Sequence, residues 1–228
     1  MIKIKVFAVN PFREVTYVVS DESSKECVII DAAASEVKER ERIENYISKN
    51  ELSVKLLINT HCHIDHILAI NYFKNKYGVE FAASESETLI VESAEASARM
   101  YGLPTDDDFV PTIDKFLNDE DIITFGESSL KVIATPGHTI GGVSFYHEET
   151  KTLFTGDTLF KGTIGRTDLP TGDYDVLMGS ILYKILPLGG ETTIYPGHGD
   201  HSSLAQEAMH NPFVNEVLTD KVNPVSEL

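Results

Sequence analysis

Four side chains able to bind a metal, His61, His63, Asp65 and His66, fall within six residues of a chain that has 8 histidines in all. They directly follow the apolar run in SVKLLINTHCHIDH. Neutral imidazole and ionised carboxylate suit zinc, and also iron or manganese, so the ligand types fix the chemistry but not the ion. Three later stretches repeat the pattern. His138 follows SLKVIAT in TPGHTIGG, Asp157 follows TLFT in GDT, and His198 follows TTIY in PGHGD. Each stands among Gly or Pro after a strand-like run, where glycine lets the backbone approach a ligand closely. His61, His63, Asp65, His66, His138, Asp157 and His198 are too many for one tetrahedral ion. They suit two divalent ions about 3.5 to 4 Å apart that share a bridging carboxylate.

Two cations sharing a water lower its pKa toward neutrality and supply hydroxide for attack on a carbonyl. The motifs include no obvious general acid. That favours a leaving group able to depart without one, such as a thiolate whose free thiol has a pKa of about 8.5, over an amine. Asp65 and Asp157 are the catalytic candidates. Asp65 would orient the nucleophile and hold its proton, although an aspartate at a helix start is also a favourable dipole cap.

The elements around these residues read as strands, a helix, and then the same order again. Residues 2–8, 15–20 and 26–31 pattern as strands, and Ser35 suits the N-cap of a helix carrying Val37, Ile43, Tyr46 and Ile47 that stops near Asn50. SVKLLINT is a buried strand, and Ile67, Leu68, Ile70, Asn71 and Phe73 have helical spacing up to Gly78. The histidine cluster therefore lies on a turn from a strand's C-terminal end into a helix, a favoured ligand position in α/β sheets. Residues 84–100 read as one helix, 101–114 as an acidic, proline-punctuated loop, then DIITF, SLKVIAT, GVSFYH and TLFTG as strands. Helices follow at 174–186 and from about Ser202. Two sheets packed face to face with helices outside fit this order.

Composition narrows the function. A length of 228 residues fits a single α/β domain over residues 1–228. The formal charge of −17 argues against nucleic-acid or anionic-membrane surfaces, which need clustered Lys and Arg. Cys27 and Cys62 are the only cysteines, so no disulfide framework is expected. The absence of a signal-like h-region or a run of about 18 apolar residues leads to an expected cytoplasmic location. His147, His201 and His210 lie outside the motifs and read as structural or solvated, and Cys62 as a packing residue pointing away from the metals. TPGHTIGG lacks the Lys-Ser or Lys-Thr of a phosphate loop.

THCHIDH resembles the THxHxDH signature of the metallo-β-lactamase superfamily, and TPGHT, FTGDT and YPGHG resemble its later motifs in the same order. GDTLFKGTIGRTDLPTGD and GHGDHSSLAQEAMHNPF resemble the glyoxalase II group of hydroxyacylglutathione hydrolases, in the short form without a C-terminal helical domain. The resemblance implies a four-layer αββα sandwich. It implies two divalent metal ions, most simply zinc, with His61, His63 and His138 on one, Asp65, His66 and His198 on the other, and Asp157 between them. It further implies hydrolysis of a small thioester such as S-lactoylglutathione, with Arg166 contacting the substrate's carboxylate end. An ion pair between Arg166 and Asp168 is the plainer reading of that arginine. Persulfide dioxygenases of the same superfamily are the alternative, with one iron on His61, His138 and Asp157. A metal-binding protein without turnover is the third.

Overall fold

The structure, a computed structural model, describes residues 1–106 and 108–222. Asp107, in the loop expected over 101–114, and residues 223–228 of the expected domain lie outside the described residues. One sheet holds β1 (Ile2–Val9), β2 (Glu14–Asp21), β3 (Glu26–Ile30), β4 (Ser53–Ile58), β5 (Phe81–Ala83) and β6 (Lys115–Phe116), in that order. β7 (Ile122–Phe125), β8 (Ser128–Ala134), β9 (Val143–His147) and β10 (Thr152–Gly156) begin the second. After a separate hairpin of β11 (Leu159–Phe160) and β12 (Thr163–Ile164), β13 (Thr193–Pro196) and β14 (Ser202–Ser203) complete it.

Pleat alternation explains the layers. Tyr17, Val19, Val28, Ile30, Leu56 and Ile58 point inward to meet Phe125, Leu130, Val132, Phe145 and Phe154 of the second sheet. Their neighbours Val18, Ile29 and Leu57 point outward. There they pack under α1 (Val37–Lys49), α2 (Ile64–Ile67), α3 (Ile70–Tyr77), α4 (Thr88–Glu92) and α5 (Ala94–Tyr101). The other outer face packs Leu153 and Ile194 under Leu177 and Met178 of α6 (Tyr174–Ser180), Leu204 of α7 (Leu204–His210) and Val214 of α8 (Pro212–Val222). Stretches covered on both faces need apolar residues on each, which is why CVII and LLI read as continuous runs. This is the expected αββα sandwich. Among the described residues, no helix is long and apolar enough to cross a membrane.

Several boundaries differ from the sequence expectation for local reasons. The first helix is capped at Glu36 rather than Ser35, because the Glu39 carboxylate reaches back to accept from the N–H groups of Ser35 (2.9 Å) and Glu36 (3.1 Å). Residues 84–100 are not one helix. A 3-10 turn at Glu85–Glu87 turns the Glu87 side chain inward, and the chain breaks at Ser93, whose hydroxyl donates to the Ile90 carbonyl. The helix expected over 174–186 is α-helical only to Ser180 and widens into a π-turn at Ile181–Ile185. Pro187 cannot donate the N–H that continuation needs, and a 3-10 turn ends the segment. Ser202–Ser203 pairs with β13 before α7 starts. Gly78 does end α3, in the left-handed conformation at φ 64°.

The Glu39 carboxylate also accepts from the Asn10 N–H (2.8 Å), tying α1 to the β1–β2 turn. Asn10 in turn donates through Nδ2 to the carbonyls of Ala33 (3.1 Å) and Asp65 (2.8 Å). Glu39→Ala deprives three N–H groups of their acceptor. It is expected to cost about 1 to 3 kcal/mol, read as a lower urea midpoint at an unchanged m-value; an unmoved midpoint would remove this link from the fold's support.

Candidate metal centre

Strand direction brings the motifs to one rim. β8 runs antiparallel to β9 and β9 to β10, while β10 is parallel to β13, so β8, β10 and β13 all point the same way. His138, Asp157 and His198 follow their C-terminal ends. His61 and His63 follow β4, and Asp65 and His66 sit in α2. Backbone bonds join the sheets at this rim, Val15 N–H to Gly197 O at 2.7 Å and Val143 N–H to Thr60 O at 2.8 Å. Tyr17 adds a hydroxyl bond to the Pro196 carbonyl (2.5 Å). Side-chain atoms are excluded where the loops cross. A Cβ on Gly197 would stand 2.3 Å from Asp157 Oδ1, and one on Gly156, itself at φ 48°, would stand 2.3 Å from Thr60 Oγ1.

All seven predicted ligands meet there. Nitrogens of His61, His63 and His138 form one group with atoms within 4.8 Å of one another, and Asp65, His66 and His198 form a second. Asp157 stands between them, Oδ1 at 3.5 Å from His66 Nε2 and Oδ2 at 3.6 and 3.7 Å from Nε2 of His138 and His198. Asp65 Oδ2 is 3.2 Å from His198 Nε2. The donor set fits metal ions. His61 Nε2, His66 Nε2 and Asp157 Oδ1 are buried without a hydrogen-bond partner, and His63 Nδ1 faces His138 Nε2 at 2.9 Å. Lone pairs held so close need a cation or proton between them.

Hydrogen bonds behind the rings fix which nitrogen points inward. His138 Nδ1 donates to the Arg166 carbonyl (2.8 Å), leaving Nε2 as the lone-pair atom. His66 Nδ1 donates to Asp31 Oδ2 (3.1 Å). Asp31 also accepts from the Thr60 N–H (2.8 Å) and hydroxyl (2.7 Å), and Thr60 Oγ1 lies 3.2 Å from His61 Nδ1. Asn59 Nδ2 donates to the carbonyls of His61 and His66, closing the turn. Asp31, Asn59 and Thr60 were not singled out from sequence, although Asp31 ends an apolar strand before three alanines, a signal that could have found it. Glu14, buried 3.6 Å from His66 Nδ1, carried no such signal. Glu87 carried none either.

The two groups differ in charge. Burial, reinforced by the neighbouring imidazoles, pushes His61 well below the usual histidine range and His63 down to about 4, and burial lowers His138. At His66 burial acts the same way but Asp157, Asp65 and Asp31 prevail and raise it. His198 is likewise raised against burial by Asp65 and Asp157. Burial also opposes ionisation of Asp157, yet His66, His138 and His198 hold its carboxyl well below the carboxylate range.

His61, His66 and His138 are buried, while His63, Asp65, Asp157 and His198 face an open cleft. Arg166 lines the cleft and makes a bidentate pair with Asp168 at 2.7 and 2.8 Å, both side chains exposed. Cys62 packs in the core between the first sheet and its helices. His147 is buried with Nδ1 2.7 Å from Thr150 Oγ1, His201 stacks on Tyr195 and His210 is exposed, so the three non-motif histidines stand apart from the cluster.

Glu87 joins the two ligand loops of the three-histidine group. Its buried carboxylate accepts from the Cys62 N–H (2.7 Å) and the Gly141 N–H (2.9 Å), and burial raises its pKa. Glu87→Gln turns an amide NH2 toward one of these N–H groups. Metal affinity is expected to fall about 10- to 100-fold, measured by competition with a chromophoric chelator, while circular dichroism stays native. An unchanged affinity would show that the loops hold without it.

The chain matches the model of the metallo-beta-lactamase superfamily over residues 9–198. It is 37% identical over 214 residues to hydroxyacylglutathione hydrolase GloC of Haemophilus influenzae, covering 93% of this chain and 98% of that protein. Among solved structures, BLEG-1 B3 metallo-beta-lactamase superposes with a TM-score of 0.84 at 33% identity, over 93% of this chain and 99% of that one. TTHA1623 in a di-iron-bound form superposes with a TM-score of 0.81 at 31% identity, over 92% and 99%. A sandwich carrying the ordered histidine and aspartate motifs on one rim, matched along nearly its whole length, places this chain in the metallo-β-lactamase superfamily.

Proposed function

We propose that the chain is a dinuclear metal hydrolase that cleaves a small hydroxyacyl thioester of the S-lactoylglutathione kind. The observation that carries this reading is the convergence of two three-ligand groups on one shared carboxylate, with buried unpartnered atoms aimed between them. His61, His63 and His138 would hold one ion, Asp65, His66 and His198 the other, and Asp157 both. Zinc is the simplest occupant; iron or manganese suits the same nitrogen and oxygen ligands. When bound, two such ions polarise a substrate carbonyl and lower the pKa of a water toward neutrality.

The rest of the work falls to the chain. Asp65, half-buried and facing the cleft, holds the proton of the attacking water and orients its oxygen toward the acyl carbon. Asp31 and the Arg166 carbonyl keep the imidazoles of His66 and His138 in one tautomer, so the site does not reorganise as charge develops. Arg166, on the cleft wall, exchanges or shares its Asp168 contact with an anionic end of the thiol carrier. The departing thiolate, of low basicity, needs no acid from the protein.

The test is anaerobic hydrolysis of S-lactoylglutathione by protein loaded with zinc, iron or manganese, beside oxygen uptake with glutathione persulfide. Thioester cleavage without oxygen and about two metal ions per chain are expected. Arg166→Ala should raise KM more than it lowers kcat, because it removes ground-state binding. Oxygen uptake with persulfide at one iron per chain, and no thioester cleavage with any metal, would establish the dioxygenase instead.

The charge difference between the ligand groups predicts an order of metal loss in acid. Ligands must be deprotonated to bind. Raised pKa values at His66 and His198 bring proton competition there as pH drops toward the ordinary histidine value of about 6.5. Lowered values at His61, His63 and His138 delay it. Stepwise acidification with metal counting should therefore pass through a plateau of one ion per chain; simultaneous loss of both would contradict the assignment.

A further inference from the structure

The cleft has two lobes that share His138, Asp157, Arg166 and His198, and the lobes differ in chemistry. One, of about 570 Å³, is bounded by Phe160, Lys161, Thr163 and Asp200 and holds the cations Lys161 and Arg166, the first 3.6 Å from Asp200 and the second paired with Asp168, in exposed pairs that an anionic ligand can exchange. The other, of about 500 Å³, is walled by Phe12, Ile90, Ala94, Ser97, Tyr101 and Leu169. Among the described residues lining it, Arg166 is the one charged side chain outside the seven candidate ligands. The wall follows from sequence spacing. Ala94, Ser97 and Tyr101 recur at helical intervals along α5 and so share one face, which Ile90 of α4 joins across the break at Ser93. Small side chains at 94 and 97 leave the space that larger ones would fill. Phe12, from the β1–β2 turn, closes the far side by meeting the Tyr101 ring edge-on at 5.2 Å.

A lactoyl group would leave most of that lobe unfilled. We propose that the enzyme's preferred substrates are thioesters with an apolar acyl group larger than lactoyl, seated between Phe12 and the α4–α5 face, with an anionic thiol carrier along Lys161 and Arg166. This rests on the thioester-hydrolase reading and specifies its substrate class. Hydrolysis consumes one water. Its oxygen bonds to the acyl carbon, the C–S bond breaks with its electron pair going to sulfur, and the products are a carboxylic acid and a thiol.

A homologous series separates size from electronic activation, which a hydroxyl on the acyl group would confound. With metal-loaded full-length protein, kcat/KM is measured for S-acetyl-, S-butanoyl-, S-hexanoyl- and S-lactoylglutathione. Each buried methylene is expected to raise it about threefold to fourfold, with hexanoyl above lactoyl. Ser97→Phe, which fills the lobe, should lower the hexanoyl-to-acetyl ratio by about tenfold or more, with metal content and circular dichroism reporting that the variant is folded. If that variant fails to fold, the acyl series on the unsubstituted protein decides alone. A flat or falling series with lactoyl fastest overturns this proposal and leaves the hydrolase reading standing. No cleavage of any thioester, under any of the three metals, overturns both.

Discussion

A single buried carboxylate holds the rim in register. Asp31, 1% exposed, receives the Thr60 N–H and hydroxyl and the His66 imidazole, and so connects the end of β3 to both sides of the histidine turn. Its backbone sits at φ 51°, in the left-handed region that costs a non-glycine residue about 1 kcal/mol or more. Three hydrogen bonds to one charged group outweigh that cost, since bonds to charged groups contribute about 1.5 to 3 kcal/mol each. The ring orientations of His61 and His66 follow from it. Without that anchor the unpartnered ring nitrogens would be free to turn toward solvent.

Buried acids recur as joints elsewhere. Glu87 ties the His61–His63 segment to the loop bearing His138. Glu207 accepts from the Gly162 N–H (2.7 Å) and from Asn211 Nδ2 (2.9 Å), and Asn211 reaches the Thr163 carbonyl (3.0 Å), which sets the β11–β12 hairpin beside the cleft. The acidic surface and the site thus use the same residue type differently, in a chain whose net charge is −17. Outside, carboxylates repel one another and keep molecules apart. Inside, each is matched to several donors and acts as a rigid bracket.

The ligand motifs and the layer order were legible in the sequence because both are periodic or local. A histidine two residues from another, or an apolar run ending in Gly-Asp, carries its meaning within a few positions. Glu87 and Glu207 were not legible in the same way. Each looks like any of the 36 acidic residues until partners 54 and 45 positions away, Gly141 for Glu87 and Gly162 for Glu207, are brought to it by the fold. The interruptions at Ser93 and Ile181–Ile185 were hidden for a related reason. Propensity favours a continuous helix in both segments, and the tertiary demand to bury Glu87, together with the late proline at 187, overrides it. β5 and β6, with 3 and 2 residues, are too short to show an alternation.

The seven candidate ligands are spread from residue 61 to residue 198, four on the first sheet's side and three on the second's. On a ribosome, an emerging chain would hold the first four long before the strand preceding His198 is made. A metal site at that stage would lack Asp157, the carboxylate that stands between the two ligand groups. Completion of the donor set must therefore wait for β10 and β13 to dock side by side and for the two sheets to join at the rim, where Val15 bonds to Gly197. A chain cut before β13 would carry the early histidines without the residue that closes the second group.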